Sequence, residues 1–533
     1  MSLSRREWLS ALLGASLGLE ACRRKPAARV PGRIVGGAMR FGHRLRSPEI
    51  GGGEGAPVVD TDVVIVGGGP SGLASAWRLE RRGEPRFVLL ELEQQPGGTS
   101  AYGTDGVVSY PWGAHYLPSP SADNPALVSL LRELGAVDDA GQPLEGQLVR
   151  EPEERLFIDG AWQPGLFPSD ASPSDLGELG RFEALVARWV AFRDAKGRRA
   201  FTLPVSACSD DAEVTALDRT SAADWFRRQG FQSARLRWYL EYATRDDYGL
   251  LLEQTSAWAL LFYFAARVPD PGRPSAPFLS WPEGNGRLVR HLTSVAGQRV
   301  RLGQLAVDVA PASDHVLVSA IDAQSGGMLR YRARQVILAL PQFVAARVYR
   351  PFKDAPPDHL SAFTYGPWLV ANLHLRRRPR SRGAPLAWDN VLYDSPALGY
   401  VVATHQALID HGPTIWTYYH PLADRSPAEA RGALADLDHE HACDAVLSDL
   451  GRAHLDLERH VERIDVWRWG HAMIRPVPGF LWGPERRAAQ RAGGDRVFFA
   501  HSDLSGVALF EEAFDQGVRA ADALLAARER IVR

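Results

Sequence analysis

The chain is 533 residues long, 45% hydrophobic and 23% charged, the proportions of an ordinary globular protein with room for two or more domain-sized cores. Lysine and arginine number 61 against 63 acids, a formal charge of -2, so the charge balance gives no pull toward nucleic acid. Only three lysines occur, Lys25, Lys196 and Lys353, a compositional bias from which no function follows.

In chain order, Arg5 and Arg6 precede an apolar run from Trp8 to Leu19 that is too short to span a bilayer as a mature helix. The segment "SRREWLSALLGASLGLEAC" resembles a bacterial twin-arginine export signal, and its "LEAC" end resembles a lipoprotein box with Glu20 in place of a small or apolar residue. The resemblance implies the twin-arginine (Tat) export machinery as a partner, a location on the periplasmic side, and a lipid anchor at Cys22. An uncleaved amphipathic helix is the alternative. Residues 23–57, rich in Arg, Gly and Pro and without sustained periodicity, read as a flexible linker. The remaining cysteines, Cys208 and Cys443, are expected to be buried free thiols.

Next comes "DVVIVGGGPSGLASAWRLERRG". Val63 to Val66 is a continuous apolar run of the kind that forms a strand covered on both faces. Gly67, Gly69 and Gly72 then give G-x-G-x-x-G, supplying a tight turn, close backbone approach to a pyrophosphate and close helix packing, with Pro70 and Ser71 opening the helix. The amino terminus of that helix directs N–H groups at phosphate. A second strand, Phe87 to Leu90, delivers Glu91 nineteen residues after Gly72, where a ribose hydroxyl needs an acceptor. Strand, glycine triplet, helix, strand and acid in that order predict a dinucleotide-binding α/β unit.

Six and seven residues beyond Glu91 stand Gly97 and Gly98. This continuation resembles the superfamily of flavin monoamine oxidase, phytoene desaturase and protoporphyrinogen oxidase, and so implies FAD rather than NAD. The family usually has Arg after the doublet, whereas this chain has Thr99. "YPWGAHYLP" at 110–118 sits where the family brings backbone against the flavin ring, with Gly113 and Ala114 allowing close approach. "VFFAHSDLSGVALFEEAFDQGVRAADALLAA" resembles the family's last flavin motif and places Asp503, Glu511 and Gly517 on its acidic and helical positions, with His501 replacing a usual glycine. A helix opening at Leu509–Phe510 would point its positive end at the flavin.

Between these ends, residues 174–268 read as helices, among them "TSAWALLFYFAARV", apolar on all sides and so either a core helix or the wall of a tunnel. "WPEGNGRLVRHL" at 281–292 is a turn feeding a helix. "RVRLGQLAVDV", "HVLVSAID" and "RYRARQVILALP" read as a small meander whose last strand returns to the nucleotide sheet. In "DLDHEHACD" only His439 and Cys443 share a helical face, which favours a surface helix over a metal site, and no metal is expected.

The fold class that follows is α/β: a Rossmann-like FAD-binding domain of the glutathione-reductase type, with a discontinuous α+β substrate-binding domain. The expected division is an export signal at 1–22, the linker at 23–57, FAD-binding segments 58–150, 282–345 and 460–533, and substrate segments 151–281 and 346–459. Amine-oxidase members of the family place a lysine beside the flavin, but the matching strand "GPWLVANLHL" carries Val370 there. "VWRWGHAMIRPVPG" supplies Trp467, Trp469 and His471 as an aromatic wall with one titratable group, so Trp469, His471 and His115 are the candidate catalytic residues. The expected activity is hydride removal from a small or amphipathic organic molecule, with oxygen or a quinone as electron acceptor. A carotenoid-type desaturase or isomerase is the second reading, and a non-catalytic protein resembling the Rab escort and GDP-dissociation-inhibitor proteins is the third.

Overall fold

The strand Val58–Val66 alternates its buried side chains between two cores. Val63 and Ile65 point into a cluster with Leu73, Trp77, Leu288 and Phe514, and Val64 and Val66 into one with Val318, Tyr331 and Phe499. All four are at most 3% exposed. Full burial of each such side chain stabilises the fold by roughly 1.5–3 kcal/mol, so an unbroken apolar run here is what a sheet covered on both faces requires. This computed structural model describes residues 30–532 apart from 37, 48–54, 85, 273–274 and 492. Arg5, Arg6 and Cys22, on which the export and lipidation expectations rest, lie outside the described residues.

Two sheets organise the chain. The first runs in the order Val300–Arg301, Phe87–Leu90, Val58–Val66, Met328–Leu338, Val316–Asp322 and Gln304–Pro311. Its first four strands are parallel, and the last two form an antiparallel meander with Met328–Leu338. That long strand serves both parts: its first half pairs with the meander, while Val336–Leu338 pairs in parallel with Val497–Phe499. Helices Pro70–Arg81, Gly286–Ala296 and Phe510–Val532 cover one face. Gly517 lets the first and last of these touch, since a Cβ there would lie 2.2 Å from the Ser71 carbonyl oxygen, and Ser75 Oγ donates to the Gly517 carbonyl at 3.0 Å.

The second sheet has eight strands, ordered Ile34–Val35, Val461–Ile474, Tyr365–Leu375, Thr414–Pro421, Gly399–Val402, Asp389–Leu392, Glu154–Ile158 and Ala161–Pro164. It corrects two sequence expectations. Val461–Ile474 pairs with Tyr365–Leu375 and belongs to this sheet, so the nucleotide unit does not resume at 460. The described part of the expected linker is built into the body: Ile34–Val35 pairs in parallel with Val466–Trp467, and Met39–Gly42 and His43–Arg46 form short helices. An added strand saturates an edge that would otherwise expose N–H and C=O groups.

The expected helical segment is present, from Pro173–Ala191 through Ala257–Ala265. In the latter, Trp258, Ala259, Leu260 and Leu261 are 0% exposed and packed among other helices, which makes it a core helix. Cys208 and Cys443 are buried free thiols. Cys443 Sγ lies 3.5 Å from His439 Nε2 on one helix face, with no metal-binding cluster among the described residues.

Candidate active site

The cofactor groove begins where the Val58–Val66 strand ends. Gly67 has φ of +105° and Gly72 packs on it so closely that a Cβ would sit 1.8 Å from the Gly67 carbonyl oxygen, which only glycine tolerates. Gly69, Pro70 and Ser71 then turn the chain into the helix, whose first N–H groups face the groove. Glu91 follows the second strand, and its carboxylate accepts the Gly68 N–H and the Glu93 N–H, each at 2.7 Å. Burial pushes its pKa up, against those two hydrogen bonds. Gly97 N–H donates to the Gly68 carbonyl at 2.8 Å and Gly98 approaches Gly69, so the glycine doublet folds back on the glycine turn.

Further along, Gly113 fits only as glycine, since a Cβ would meet the Thr99 carbonyl oxygen at 2.2 Å, and the Ala114 N–H donates to that same oxygen at 2.9 Å. Asp503 is fully buried at the far side. One of its oxygens accepts the Gln342 N–H at 2.8 Å and the Tyr365 hydroxyl at 2.5 Å. The other has no hydrogen-bond donor among the described residues, since His501 Nδ1, 2.9 Å away, itself accepts the Asp503 N–H. A buried acceptor with no donor, bordering a groove, is suited to a ligand hydroxyl.

Thr99, Ala114, Trp469, Ala472 and Phe510 border both this groove and an inner cavity. The inner cavity has an aromatic wall. His115 stacks on Tyr419 at 4.8 Å, with Trp388 at 5.5 Å and Tyr116 at 5.1 Å, and Trp368, Trp469 and Val370 complete the lining. Trp469 is fixed by its indole N–H, which donates to the Trp112 carbonyl at 2.7 Å, and by stacking on Trp467 at 4.3 Å. Burial lowers the His115 pKa to about 4, so near neutral pH its ring is uncharged.

His471 is not part of this cavity. It stacks on Phe343 at 4.2 Å and borders the cofactor groove, where burial and then the nearby Arg431 and Arg46 lower its pKa to about 4. The sequence grouped it with Trp467 and Trp469, the alternate positions of one stretch, and named His115 beside them. The strand Val461–Ile474 runs past the inner cavity into the groove, so Trp469 borders both while His471 borders the groove and His115 the inner cavity.

The same cavity holds carboxylates that the sequence reading missed. Asp246 and Asp247, neighbours near the end of helix Ala234–Tyr248, both face Tyr116, whose hydroxyl donates to Asp247 Oδ1 at 2.9 Å and lies 3.2 Å from Asp246 Oδ2. Asp247 is neutralised by Arg267, with Nη2 2.6 Å from Oδ2 and both side chains buried. Asp246 has no ion pair among the described residues, and burial, then Asp247 and Asp389, push its pKa up, with the Arg267 charge acting against them. Burial pushes Glu511 up to about 7, and one of its oxygens has no donor among the described residues. Two adjacent acids in "YATRDDYG" were the available signal, though adjacency alone does not show which faces inward.

Glycine turn, ribose-side acid, close-approach backbone and an inner cavity lie end to end across two sheets, which defines a dinucleotide-dependent oxidoreductase fold. Residues 70–525 match the family "flavin containing amine oxidoreductase", and the chain belongs to that family. FAD is its cofactor, and FAD-dependent oxidoreduction its class of chemistry. Chloroplastic protoporphyrinogen oxidase of rice (Oryza sativa subsp. japonica) is 23% identical over 332 residues, covering 58% of this chain and 58% of the rice protein's length. Among solved structures, wild-type putrescine oxidase bound to putrescine is similar with a TM-score of 0.64 at 19% identity, covering 90% of this chain and all of that one. Cyclohexylamine oxidase from Brevibacterium oxydans IH-35A gives a TM-score of 0.62 at 16% identity, over 89% of this chain and all of its own. These likenesses show a shared fold.

The residues present fit FAD. Gly67 to Ser71 and Gly98 would face its diphosphate, Glu91 its adenosine ribose, Asp503 the flavin side chain, and Gly113 and Ala114 the ring. Glu511, expected with the cofactor set, borders the inner cavity, and Thr99 borders both cavities.

Proposed function

We propose that this protein oxidises a compact organic amine: the bound ammonium gives one proton to an ionised carboxylate of the cavity wall, Asp246 or Glu511, and the neutral amine then loses hydride from the carbon beside nitrogen to leave an iminium ion, the electrons passing on to oxygen or a quinone. Asp246 carries the proposal: a half-buried carboxylate with no ion pair among the described residues, in a cavity lined in part by aromatic rings. When bound, FAD supplies a hydride acceptor. The protein supplies the rest. Asp246 and Glu511 favour an ammonium group, which would lower the cost of ionising them. His115, Tyr419, Trp368 and Trp469 exclude water and present aromatic faces to a cation. The uncharged His115 ring offers a nitrogen that can accept a hydrogen bond without repelling that charge.

The acidic lining disfavours a carboxylate substrate such as a fatty acid anion. The solved neighbours named above include oxidases of putrescine and of cyclohexylamine, which supports testing amines first. Among the described residues no lysine lines the cavity, and Val370 borders it where amine oxidases of the family carry lysine. Orientation by the acids, not a lysine-held water, is therefore what the proposal relies on.

The test is anaerobic mixing of the FAD-loaded protein with a panel of mono- and diamines, amino acids, fatty acids and apolar alkenes, reading loss of flavin absorbance. Reduction by amines and not by fatty acids supports the proposal, and reduction by alkenes or fatty acids alone overturns it. Peroxide release on admitting air distinguishes oxygen from a quinone as acceptor. We also propose action after export, supported by Arg5, Arg6 and the apolar run to Leu19, with lipidation at Cys22. Replacing both arginines by lysine should leave the protein in the cytoplasm, and Cys22→Ser should release it from the membrane fraction. An unchanged distribution in either variant would refute the corresponding step.

A further inference from the structure

The walls of the cofactor groove contribute no lysine or arginine among the described residues, and Thr99 offers only a hydroxyl. A diphosphate carries two negative charges, and helix-terminal N–H groups supply only partial ones. Immediately beside the groove is a second cavity that shares Glu91, Gly98, Trp469 and His471 with it. Gly98 is the residue folded against Gly69 of the phosphate turn, so the second cavity reaches that turn. Its opposite wall carries Arg46, His43, Arg431 and Arg468.

These cations differ in whether they are already used. Arg468 donates to the carbonyls of Leu434, Ala435 and Leu437, closing the end of helix Pro427–Asp436. Arg46 and Arg431 have no hydrogen bond or ion pair among the described residues. The acids on the facing wall do not pair with them: Glu91 is held by backbone N–H groups, and burial followed by the Glu91 charge pushes Glu93 up to about 7. The positive charges instead act on one another. Burial and then Arg46 lower Arg431, burial and then Arg431 lower Arg475, and both arginines contribute to lowering His471. Like charges with no acid paired to them, in a cavity touching a phosphate turn, are complementary to an anion.

The segment bearing Arg46 is tied down on both sides of the cavity. At one end Ile34–Val35 adds to the edge strand Val461–Ile474, and the Arg33 N–H donates to Asp465 at 3.2 Å. At the other, Phe41 and Leu45 pack against Leu92, Leu305, Val307 and Ile321, beside the meander of the nucleotide sheet. The described residues of this segment thus reach both sheets, and Gly36, Met39, His43 and Arg46 line the second cavity.

We propose that Arg46 and Arg431 bind the FAD diphosphate, the strap of residues 34–36 and 38–46 acting as a part of the cofactor site. The inference rests on the cofactor assignment made above. The experiment is titration of FAD into the FAD-stripped full chain, followed by flavin fluorescence at several salt concentrations. The double variant Arg46→Ala/Arg431→Ala is expected to bind FAD at least about ten-fold more weakly, with a shallower salt dependence, the loss expected when charge-assisted contacts to phosphate are removed. The double Arg→Lys variant should recover most of the affinity, because it keeps the charge. Arg44→Ala, which alters an exposed arginine lying over Phe41 on the same short helix, should titrate like the wild type. A double alanine variant with the wild-type affinity and salt dependence overturns the proposal alone. A wild-type chain that takes up no FAD overturns the cofactor assignment, and this inference with it.

Discussion

Asp246 is the residue whose replacement separates binding of a cation from the redox step. In Asp246→Asn the side chain keeps its shape and its contact with Tyr116 but cannot carry charge. The KM for an amine is expected to rise about 10- to 100-fold, the effect of losing one partly buried charge pair, with a smaller change in kcat. A KM within two-fold of wild type would remove the ammonium from Asp246. Gly72→Ala tests the other end of the site: a methyl group 1.8 Å from the Gly67 carbonyl oxygen must open the phosphate turn, so the purified variant should be colourless or lose FAD on dilution. The glycine turn and Glu91 could be read from local spacing, because each answers a demand set by residues a few positions away, whereas Ala114 and Asp503 came only from the family resemblance, Asp503 being held by the distant Gln342 and Tyr365. Asp246, Arg46 and Arg431 answer demands made by residues hundreds of positions distant. Nothing in their neighbours announces the burial of the first or the shared cavity of the other two.

At the scale of elements, the legible parts were those with strong periodicity: the first strand and helix, the meander ending at Leu338, and the helices of 173–265. Tyr365–Leu375 is buried at all eleven positions, so the alternation that marks a half-exposed strand is absent from it. Val461–Ile474 was recognisable as a strand, but its sheet is decided by pairing with Tyr365–Leu375, which sequence does not show. The strap escaped notice because two residues of strand and two four-residue helices leave no period to detect. Packing of the first helix on the last gives the test at this scale. Gly517→Val would push side-chain atoms into the Ser71 carbonyl, and overpacking of this kind costs about 1–3 kcal/mol. Since Ser71 lies in the first turn of the phosphate-facing helix, thermal stability and FAD affinity are expected to fall together. A variant that loses stability while holding FAD as tightly as before would show the two helices to be uncoupled from the site.

Across the whole molecule, the buried acids make a prediction about pH. Burial pushes Glu511 and Asp389 up to about 7 and Glu512 up to about 8, with Asp246 also raised. From the ordinary carboxylate range up to those values the native chain keeps protons that the unfolded chain has shed, so stability falls as pH rises. Buried histidines work in the opposite sense. His115, His454 and His471 are lowered to about 4 from an ordinary 6.5, so between these values the unfolded chain takes up protons that the native one refuses, and stability rises with pH. The two effects oppose each other below pH 6.5, and above it only the carboxylates remain. The melting temperature of the FAD-stripped protein is therefore expected to fall between pH 6.5 and 8, and a flat or rising profile would show that these acids are ionised in the fold. A compact amine that remains protonated at pH 8 adds a second reading of the same charges. Bound next to Asp246 and Glu511 it favours their ionised forms, so it should raise the melting temperature more at pH 8 than at pH 6.5. Asp246→Asn should lose most of that difference, whereas an amine that stabilises both proteins equally would be binding outside the inner cavity.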